Sequence, residues 1–283
     1  MSAFLKIQSA RACCFALVLV CCTAWRLQAG IVDTVQVYSA AMKKTTSCLI
    51  IRPDTYAPTG RAYPVAYLLH GWSGDYTGWL REAPQLLQWA DQYNMLIVCP
   101  DGGYDSWYYD SPVDSTVRYE TFIAAELVAF TDRFYRTRAS PAGRAISGLS
   151  MGGHGALWLA ARHPEVFGAA GSMAGGLDIR MFPRNNWDIA GVLGDPDTHW
   201  SNWEAGAVVN QTPLLEHNRQ ALIIDCGDAD FFLEANRLFH RRLQEAGVPH
   251  EYTERPGAHN GAYWSSAVDH HLLFFHTFFQ RGN

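Results

Sequence analysis

A serine lies among glycines in the run AISGLSMGGHGALWLAARHP, which spans Ala145–Pro164. The residues before Ser150 are small and apolar, as in a buried strand, and those after it have helical spacing until Pro164. The segment from Gly148 to Gly152 therefore fits the pattern G-x-S-x-G at a strand-to-helix turn. Such a turn strains the serine backbone and exposes the hydroxyl, so its neighbours must be small. We predict that Ser150 is a nucleophile; a serine that only caps a glycine-rich turn is the alternative.

Composition and strand order indicate one α/β domain. The chain has 283 residues, of which 48% are hydrophobic, enough for one large core. Extended and helical patterns alternate from residue 31 onward, which predicts a mostly parallel sheet with helices on both faces. No repeat or linker is visible, so residues 30–283 are predicted to form a single domain. The formal net charge of -5 argues against a nucleic-acid partner.

The first 29 residues have the order of features typical of a signal peptide. Lys6 and Arg11 supply positive charge, the run ACCFALVLVCCTAW is apolar, and LQAG offers small residues for cleavage after Ala29. We therefore predict a secreted or periplasmic protein without stable membrane insertion after cleavage. A retained anchor is the alternative, although the apolar run is short for a transmembrane span.

Three cysteines remain beyond that segment, namely Cys48, Cys99 and Cys226. Each lies in an apolar, strand-like run, where a lone cysteine usually packs as a small hydrophobic residue. Their odd number and wide spacing predict neither a disulfide framework nor a zinc site. We expect no metal and no organic cofactor.

His259 is the predicted base. It falls in RPGAHNGAYW, a loop between the last predicted strand and the final predicted helix. Loops at the carboxyl ends of strands collect the chemistry of open α/β sheets, and a histidine there can accept a proton from a serine. Seven other histidines after Ser150 fall in predicted helices or at a strand start, where packed or solvated side chains are usual: His154, His163, His240, His250, His270, His271 and His276.

The acid should lie between serine and histidine in chain order, and IIDCGDADFF offers three aspartates. Asp225 lies inside the apolar strand run. Asp228 and Asp230 follow the strand end, and either could orient a histidine and stabilise its protonated form. A turn residue and a helix cap are their respective alternatives. Position alone leaves Asp228 and Asp230 equally favoured.

Two backbone N–H groups are required to stabilise an oxyanion. One belongs to the residue after the nucleophile, Met151, at the start of the predicted helix. The other should come from the loop after an earlier strand, and LLHGWSGD is that loop. We assign the second N–H to Trp72, whose side chain could also be a core or rim aromatic.

Four segments together resemble the putative-esterase family of the α/β-hydrolase fold: LLHGWSGDYTGW, GLSMGGHGALWLAARHPEVFGAAGSMAG, DCGDADFFLEANRLFHRRL and PGAHNGAYW. That family includes esterase D-type S-formylglutathione hydrolases, esterases of carbohydrate esterase family 1 and antigen 85 mycolyltransferases. The resemblance covers residues 31–280. It implies Asp230 as the acid, because the family carries its acid directly before the aromatic residue of a similar turn. It also implies His259 as the base and Trp72 and Met151 as oxyanion donors.

We expect two further regions to shape the pocket for the acyl or alcohol part of the substrate. One is the loop DSWYYDSP, residues 105–112. The other is the segment 177–216, which has no clear periodicity and is expected to be an irregular excursion over one edge of the sheet or a short cap.

These observations predict a serine carboxylesterase for a small-molecule or carbohydrate-linked ester, with acetyl and feruloyl esters of carbohydrates as examples. An acyltransferase of the mycolyltransferase type, with the same triad, is one alternative. An S-formylglutathione hydrolase-like thioesterase is another, although an exported enzyme would rarely meet that substrate. A third is a carbohydrate-binding protein on an inactive hydrolase scaffold, with exposed Trp200 and Trp203 stacking on sugars.

Overall fold

The computed structural model describes residues 30–184 and 187–281, so the predicted signal peptide lies outside the described residues. Within these ranges one eight-stranded sheet has the order β1-β2-β4-β3-β5-β6-β7-β8. β1, β2 and β4 pair antiparallel, and the strands from β4 to β8 are parallel. The strands are β1 (Ile31–Ser39), β2 (Lys44–Arg52), β3 (Val65–Leu69), β4 (Leu96–Pro100), β5 (Arg144–Gly148), β6 (Ala169–Met173), β7 (Ala221–Gly227) and β8 (Glu251–Arg255).

Helices cover both faces of the sheet. They are α1 (Gly78–Glu82), α2 (Leu86–Tyr93), α3 (Tyr119–Thr121), α4 (Val128–Phe134), α5 (Met151–Arg162), α6 (Ile189–Leu193), α7 (Pro196–Gly206), α8 (Thr212–Asn218), α9 (Leu233–Glu245) and α10 (Gly261–Arg281). A π-helical segment, Phe122–Leu127, joins α3 to α4. None of the helices in the described ranges is both long and apolar enough to cross a membrane.

The sheet separates two hydrophobic clusters. One packs β3, β4 and β5 against the helical segment 119–134 and helices α5 and α9, and the other packs the opposite face against α1, α2 and α10. Every residue of β3, β4, β5 and β6 is buried, as expected for strands covered on both faces. The predicted mostly parallel sheet with two helical layers is confirmed.

Residues 78–93 have apolar side chains at helical spacing but form two short helices and not one. α1 ends at Glu82 and α2 begins at Leu86. Pro84 lies between them, and it lacks an N–H and disfavours helical geometry in the residue before it. Ala83 accordingly leaves the helical region, with φ of -138° and ψ of 74°.

The prediction that segment 177–216 is irregular was wrong. It contains α6, α7 and the start of α8, with two short 3-10 helices. Its apolar residues Ile189, Trp203 and Val208 are buried in the same cluster as α5 and α9. Because each helix has only 5 to 11 residues, none repeats its apolar positions often enough to be recognised in sequence.

Close backbone contacts fix the turn at Ser150. A Cβ atom on Gly152 would lie within 3.0 Å of the carbonyl oxygens of Leu69 and His70. A Cβ atom on Gly148 would lie equally close to the backbone of Gly152. The ends of β3 and β5 can therefore meet the start of α5 only where side chains are absent, in agreement with the steric requirement predicted from the sequence.

Replacing Gly152 with alanine should lower the free energy of unfolding by about 2 kcal/mol or more, since the clash is with backbone that cannot rotate away. Urea denaturation measures this value. Gly191→Ala is the matched control, because Gly191 is an exposed helical residue with open space around its Cα. Its stability should be unchanged or rise by up to about 1 kcal/mol. Equal effects of the two substitutions would contradict the packing argument.

Candidate active site

Ser150 lies at the turn between β5 and α5 with φ of 55° and ψ of -117°. A positive φ is unusual for a residue with a side chain and marks local backbone strain. The turn is held by the Ser150 N–H, which donates to the Met173 carbonyl at 3.0 Å. The N-terminus of α5 begins at the next residue and brings partial positive charge to the serine.

Ser150, His259 and Asp230 form one continuous hydrogen-bonded chain. The Ser150 Oγ lies 2.9 Å from His259 Nε2, and His259 Nδ1 lies 2.8 Å from Asp230 Oδ2. The Asp230 side chain is buried, and its other oxygen accepts the Phe232 N–H at 2.8 Å. A carboxylate only accepts, so Nδ1 carries the imidazole proton and Nε2 is free to accept the serine proton. This arrangement suits proton transfer from the serine to His259.

The structure distinguishes the roles of Asp228 and Asp230, which their positions in the sequence left equally favoured. Asp230 contacts His259, whereas Asp228 Oδ1 accepts the Gly257 N–H at 3.1 Å. The Asp228 N–H also donates to the Arg255 carbonyl at 2.9 Å. Asp228 therefore fastens the loop that carries His259, and Asp230 is the carboxylate placed to orient the imidazole.

The backbone amides of Trp72 and Met151 have no acceptor among the described residues, although neighbouring amides do. Ser73 donates to the Tyr104 carbonyl at 2.7 Å, and Gly74 donates to the Gly71 carbonyl at 3.0 Å. Met151 is the first residue of α5, where an N–H has no partner within the helix. Trp72 lines the same cavity as Ser150. The two amides are thus available to an oxyanion.

His70 controls the orientation of one of these amides. Its Nδ1 lies 2.8 Å from the Gly71 carbonyl oxygen, and its Nε2 accepts the Gly102 N–H at 2.8 Å. Nδ1 is therefore the donor to the Gly71 carbonyl. That carbonyl and the Trp72 N–H belong to one planar peptide group and point in opposite directions. Holding the carbonyl consequently fixes the direction of the Trp72 N–H, a role that sequence patterns did not indicate.

An aromatic cavity of about 320 Å³ opens beside the serine. Its lining includes five tryptophan and phenylalanine side chains and two charged ones: Trp72, Trp79, Trp187, Phe231, Trp264, Arg81 and Glu82. The Phe231 ring lies 4.2 Å from the His259 ring and stacks on Trp187 at 5.5 Å. Larger cavities exist beside β8, but they lie away from Ser150. The cavity at the serine is the one lined by both Ser150 and His259.

The loop 105–112 supports the cavity from behind and does not line it. Its aromatic residues Trp107, Tyr108 and Tyr109 are all buried. The Trp107 indole N–H donates to the Trp187 carbonyl at 3.2 Å. From segment 177–216, Trp187 is the lining residue.

The remaining histidines considered in the sequence do not join this chain of contacts. His154 is buried on α5, donates to the Gly176 carbonyl at 3.0 Å, and has its pKa lowered by burial to about 4. His163 contacts Glu120, and this contact raises its pKa. His240 pairs with His250 at 2.7 Å. These side chains have structural partners of their own.

Two further expectations concern residues outside the cavity. Cys48, Cys99 and Cys226 are buried, as predicted for cysteines that pack as small hydrophobic residues. Trp203, expected to be exposed, is fully buried and donates to the Gly194 carbonyl at 3.0 Å, because it anchors α7 in the core. Only Trp200 of that pair is exposed, at 41%. In residues 30–184 and 187–281, no group of three or more His, Cys, Asp or Glu is placed to hold a metal.

The sequence profile described as putative esterase matches residues 39–275. The chain belongs to this esterase family. Esterase Rv1288 of Mycobacterium tuberculosis (strain ATCC 25618 / H37Rv) is 32% identical over 246 residues, covering 74% of this chain and 51% of that protein. The chain therefore spans about half the length of that relative.

Other esterase-family relatives match more of their own length. A diacylglycerol acyltransferase/mycolyltransferase Ag85A of Mycobacterium gordonae is 28% identical, covering 84% of this chain and 78% of that protein. A solved ferulic acid esterase is 28% identical with a TM-score of 0.74, covering 89% of this chain and 99% of that one. These similarities confirm the resemblance and the α/β-hydrolase fold that it implied.

Replacing His70 with alanine should lower kcat for p-nitrophenyl acetate about 10- to 100-fold and leave KM within about threefold. Loss of one oxyanion donor lowers kcat about 10²–10³-fold. A misoriented Trp72 N–H would still donate in part, so the expected decrease in kcat is smaller. Tyr108→Phe is the control, since the Tyr108 hydroxyl donates to the His70 carbonyl at 3.0 Å and makes no hydrogen bond to the peptide group between Gly71 and Trp72. A fall in kcat that is no larger for His70→Ala than for Tyr108→Phe would refute this role.

Proposed function

We propose that the protein is a serine carboxylesterase that acts through an acyl-enzyme on Ser150. The single observation that carries the proposal is the continuous contact from the Ser150 Oγ through His259 to the buried Asp230. Membership of the esterase family supports it. Nucleophile, base and orienting acid each have the geometry that this chemistry needs.

The reaction follows from the positions of these groups. His259 Nε2 takes the hydroxyl proton as the Ser150 Oγ attacks the ester carbonyl, and Asp230 stabilises the protonated imidazole. The free amides of Trp72 and Met151 receive the negative charge of the tetrahedral intermediate. His259 then returns the proton to the departing alcohol. Water activated by the same histidine releases the acid and restores the serine. No metal or organic cofactor takes part.

The proposed substrates are small esters, including acetyl or feruloyl esters of carbohydrates. Aromatic walls suit both flat sugar rings and aromatic acyl groups, and Trp187, Phe231 and Trp264 provide such walls. Arg81 and Glu82 add polar groups on the same cavity. The similarity to a ferulic acid esterase supports this class. Comparing hydrolysis of acetyl, feruloyl and long-chain p-nitrophenyl esters would establish the acyl preference.

Substitution of the two neighbouring aspartates gives a matched test of the mechanism. Asp230→Asn should lower kcat on the order of 10⁴-fold, because an amide no longer holds His259 in the required tautomer. The kcat of Asp228→Asn should stay within about tenfold of the wild-type value, since an amide oxygen can still accept a hydrogen bond from the Gly257 N–H. Ser150→Ala should lose at least as much activity as Asp230→Asn. The measurement is steady-state hydrolysis of p-nitrophenyl acetate by folded protein.

Undiminished hydrolysis by folded Ser150→Ala protein would rule out the proposed nucleophile. A larger loss in Asp228→Asn than in Asp230→Asn would reassign the acid. Circular dichroism at the assay temperature would establish that each variant is folded.

An acyltransferase would use the same groups, with a sugar hydroxyl in place of water. The similarity to the Ag85A mycolyltransferase favours this second candidate. Product analysis with an excess of sugar acceptor distinguishes the two: free acid is expected for an esterase and acylated sugar for a transferase.

We further propose that the protein is exported and loses its first 29 residues. The order of basic, apolar and small residues in this segment supports the proposal. N-terminal sequencing of protein recovered outside the cytoplasm should begin at Gly30. Recovery of the complete chain from the cytoplasm alone would contradict it.

A further inference from the structure

A second set of serine, histidine and aspartate side chains lies buried beneath the active-site residues. Ser147 Oγ is 2.8 Å from His271 Nδ1, and His271 Nε2 is 3.3 Å from Asp225 Oδ2. Ser147 and His271 are 0% exposed and Asp225 is 2% exposed. None of the three residues lines the cavity at Ser150, so the set has no direct part in catalysis. We call Ser147, His271 and Asp225 the buried bridge.

The buried bridge crosses one face of the sheet. Ser147 lies on β5 and Asp225 on β7, with β6 between them. The His271 ring spans this gap above Gly171 of β6, where a Cβ atom would lie within 3.0 Å of Nδ1 and Cε1. His271 Nε2 approaches the Asp225 carboxylate without forming a hydrogen bond to it, and Nδ1 is hydrogen-bonded to the Ser147 hydroxyl. The hydrogen bond to Ser147 thereby joins α10 to β5, and the close contact with Asp225 places the same ring against β7.

Asp225 also joins both ends of the loop that carries His259. Its Oδ2 accepts from Arg255 at 2.6 Å, and its Oδ1 accepts from the Tyr263 hydroxyl at 3.1 Å. Arg255 precedes His259 by four residues and Tyr263 follows it by four. The loop is therefore fastened at both sides to β7.

Each partner of the buried bridge lies close in sequence to a member of the active-site chain. Ser147 is three residues before Ser150 on the strand that leads to it, and Asp225 is five residues before Asp230. His271 lies on α10, the helix that directly follows the His259 loop. The bridge thus connects the three elements whose relative positions set the distances among Ser150, His259 and Asp230.

The surroundings of the buried bridge make stability a poor explanation for it. It lies in the apolar cluster that contains Met173, Ile223, Val268 and Leu272. Buried polar networks often contribute no more stability than well-packed apolar side chains of similar volume. They do impose directional contacts, which fix one arrangement of the elements that they join.

We propose that the buried bridge positions Ser150 relative to His259 and Asp230 and so sets kcat. Ser147, His271 and Asp225 are positioning residues that act through the active-site chain. This inference rests on the proposed esterase function. Misplacement of reacting groups by about 1 Å can cost about 100-fold in rate, so loss of the bridge should be visible in kcat.

The test compares a single with a double substitution. Ser147→Ala removes one oxygen and leaves His271 Nδ1 buried without a partner, which should lower both stability and kcat. In Ser147→Ala/His271→Leu both partners are apolar, so stability should recover toward that of the wild type. Because the bridge is still absent, kcat for p-nitrophenyl acetate should remain about 10- to 100-fold low, with KM within about threefold.

Thr131→Val is the matched control for loss of a buried hydroxyl. Thr131 is buried on α4 and donates to the Leu127 carbonyl at 2.8 Å, away from the active-site chain. The Thr131→Val variant should be less stable than the wild type, while its kcat stays within about twofold of the wild-type value. All variants are assayed at a temperature at which circular dichroism shows them folded.

Recovery of kcat together with stability in the double variant would overturn the proposal. So would a loss of kcat in Ser147→Ala no greater than that in Thr131→Val, a comparison that holds even if the double variant does not fold. Failure of the proposed function is recognised separately, since the wild-type protein would then neither hydrolyse the ester nor react with a fluorophosphonate.

Discussion

The packing of Gly152 against the carbonyl oxygens of Leu69 and His70 is the constraint on which the site depends. It brings the end of β3 against the first turn of α5, and Ser150, just before this turn, has a backbone with positive φ. The strain at φ of 55° is local, but its consequence is functional: the hydroxyl stands at the end of the sheet, with the N-terminus of α5 behind it. The same contact brings the loop after His70 beside the serine, where the Trp72 N–H becomes available.

Parallel strand order extends that constraint to the other groups. β5, β7 and β8 run in the same direction, so the segments that follow them emerge at one edge of the sheet. Ser150 follows β5, Asp230 follows β7, and His259 follows β8. Contacts between the last two loops, such as that of Asp228 with Gly257, set the acid against the base. The buried bridge acts one layer below, between strands rather than between loops. Two levels of hydrogen bonding therefore constrain the same three positions.

Short-range patterns made much of this arrangement predictable. Ser150 was identifiable because the steric demands of its turn are met by adjacent residues, and His259 because its loop follows a strand. Asp228 and Asp230 could not be separated by position, since both follow β7 and only the tertiary contact with His259 distinguishes them. The role of His70 depends on Gly102, a residue from another loop, and so left no local signal.

The features that local sequence patterns do not indicate are set by tertiary packing. The rings of loop 105–112 lie behind the pocket, because Gly102 and Gly155 leave room for the Tyr108 ring inside the core. α6 and α7 were missed because they are short. Trp187 lines the cavity through its contact with Phe231, which is distant in sequence. Each miss has the same origin: the environment of the residue is set by parts of the chain that no local pattern includes.

The central claim is that the Ser150 Oγ is the nucleophile, and covalent labelling tests it most directly. The protein would be treated with a fluorophosphonate, digested, and analysed by tandem mass spectrometry for the modified residue. The account predicts one adduct, on Ser150, formed rapidly by the wild type and strongly slowed in His259→Ala. An adduct on a different serine, or full ester hydrolysis by protein that acquires no adduct on Ser150, would contradict it.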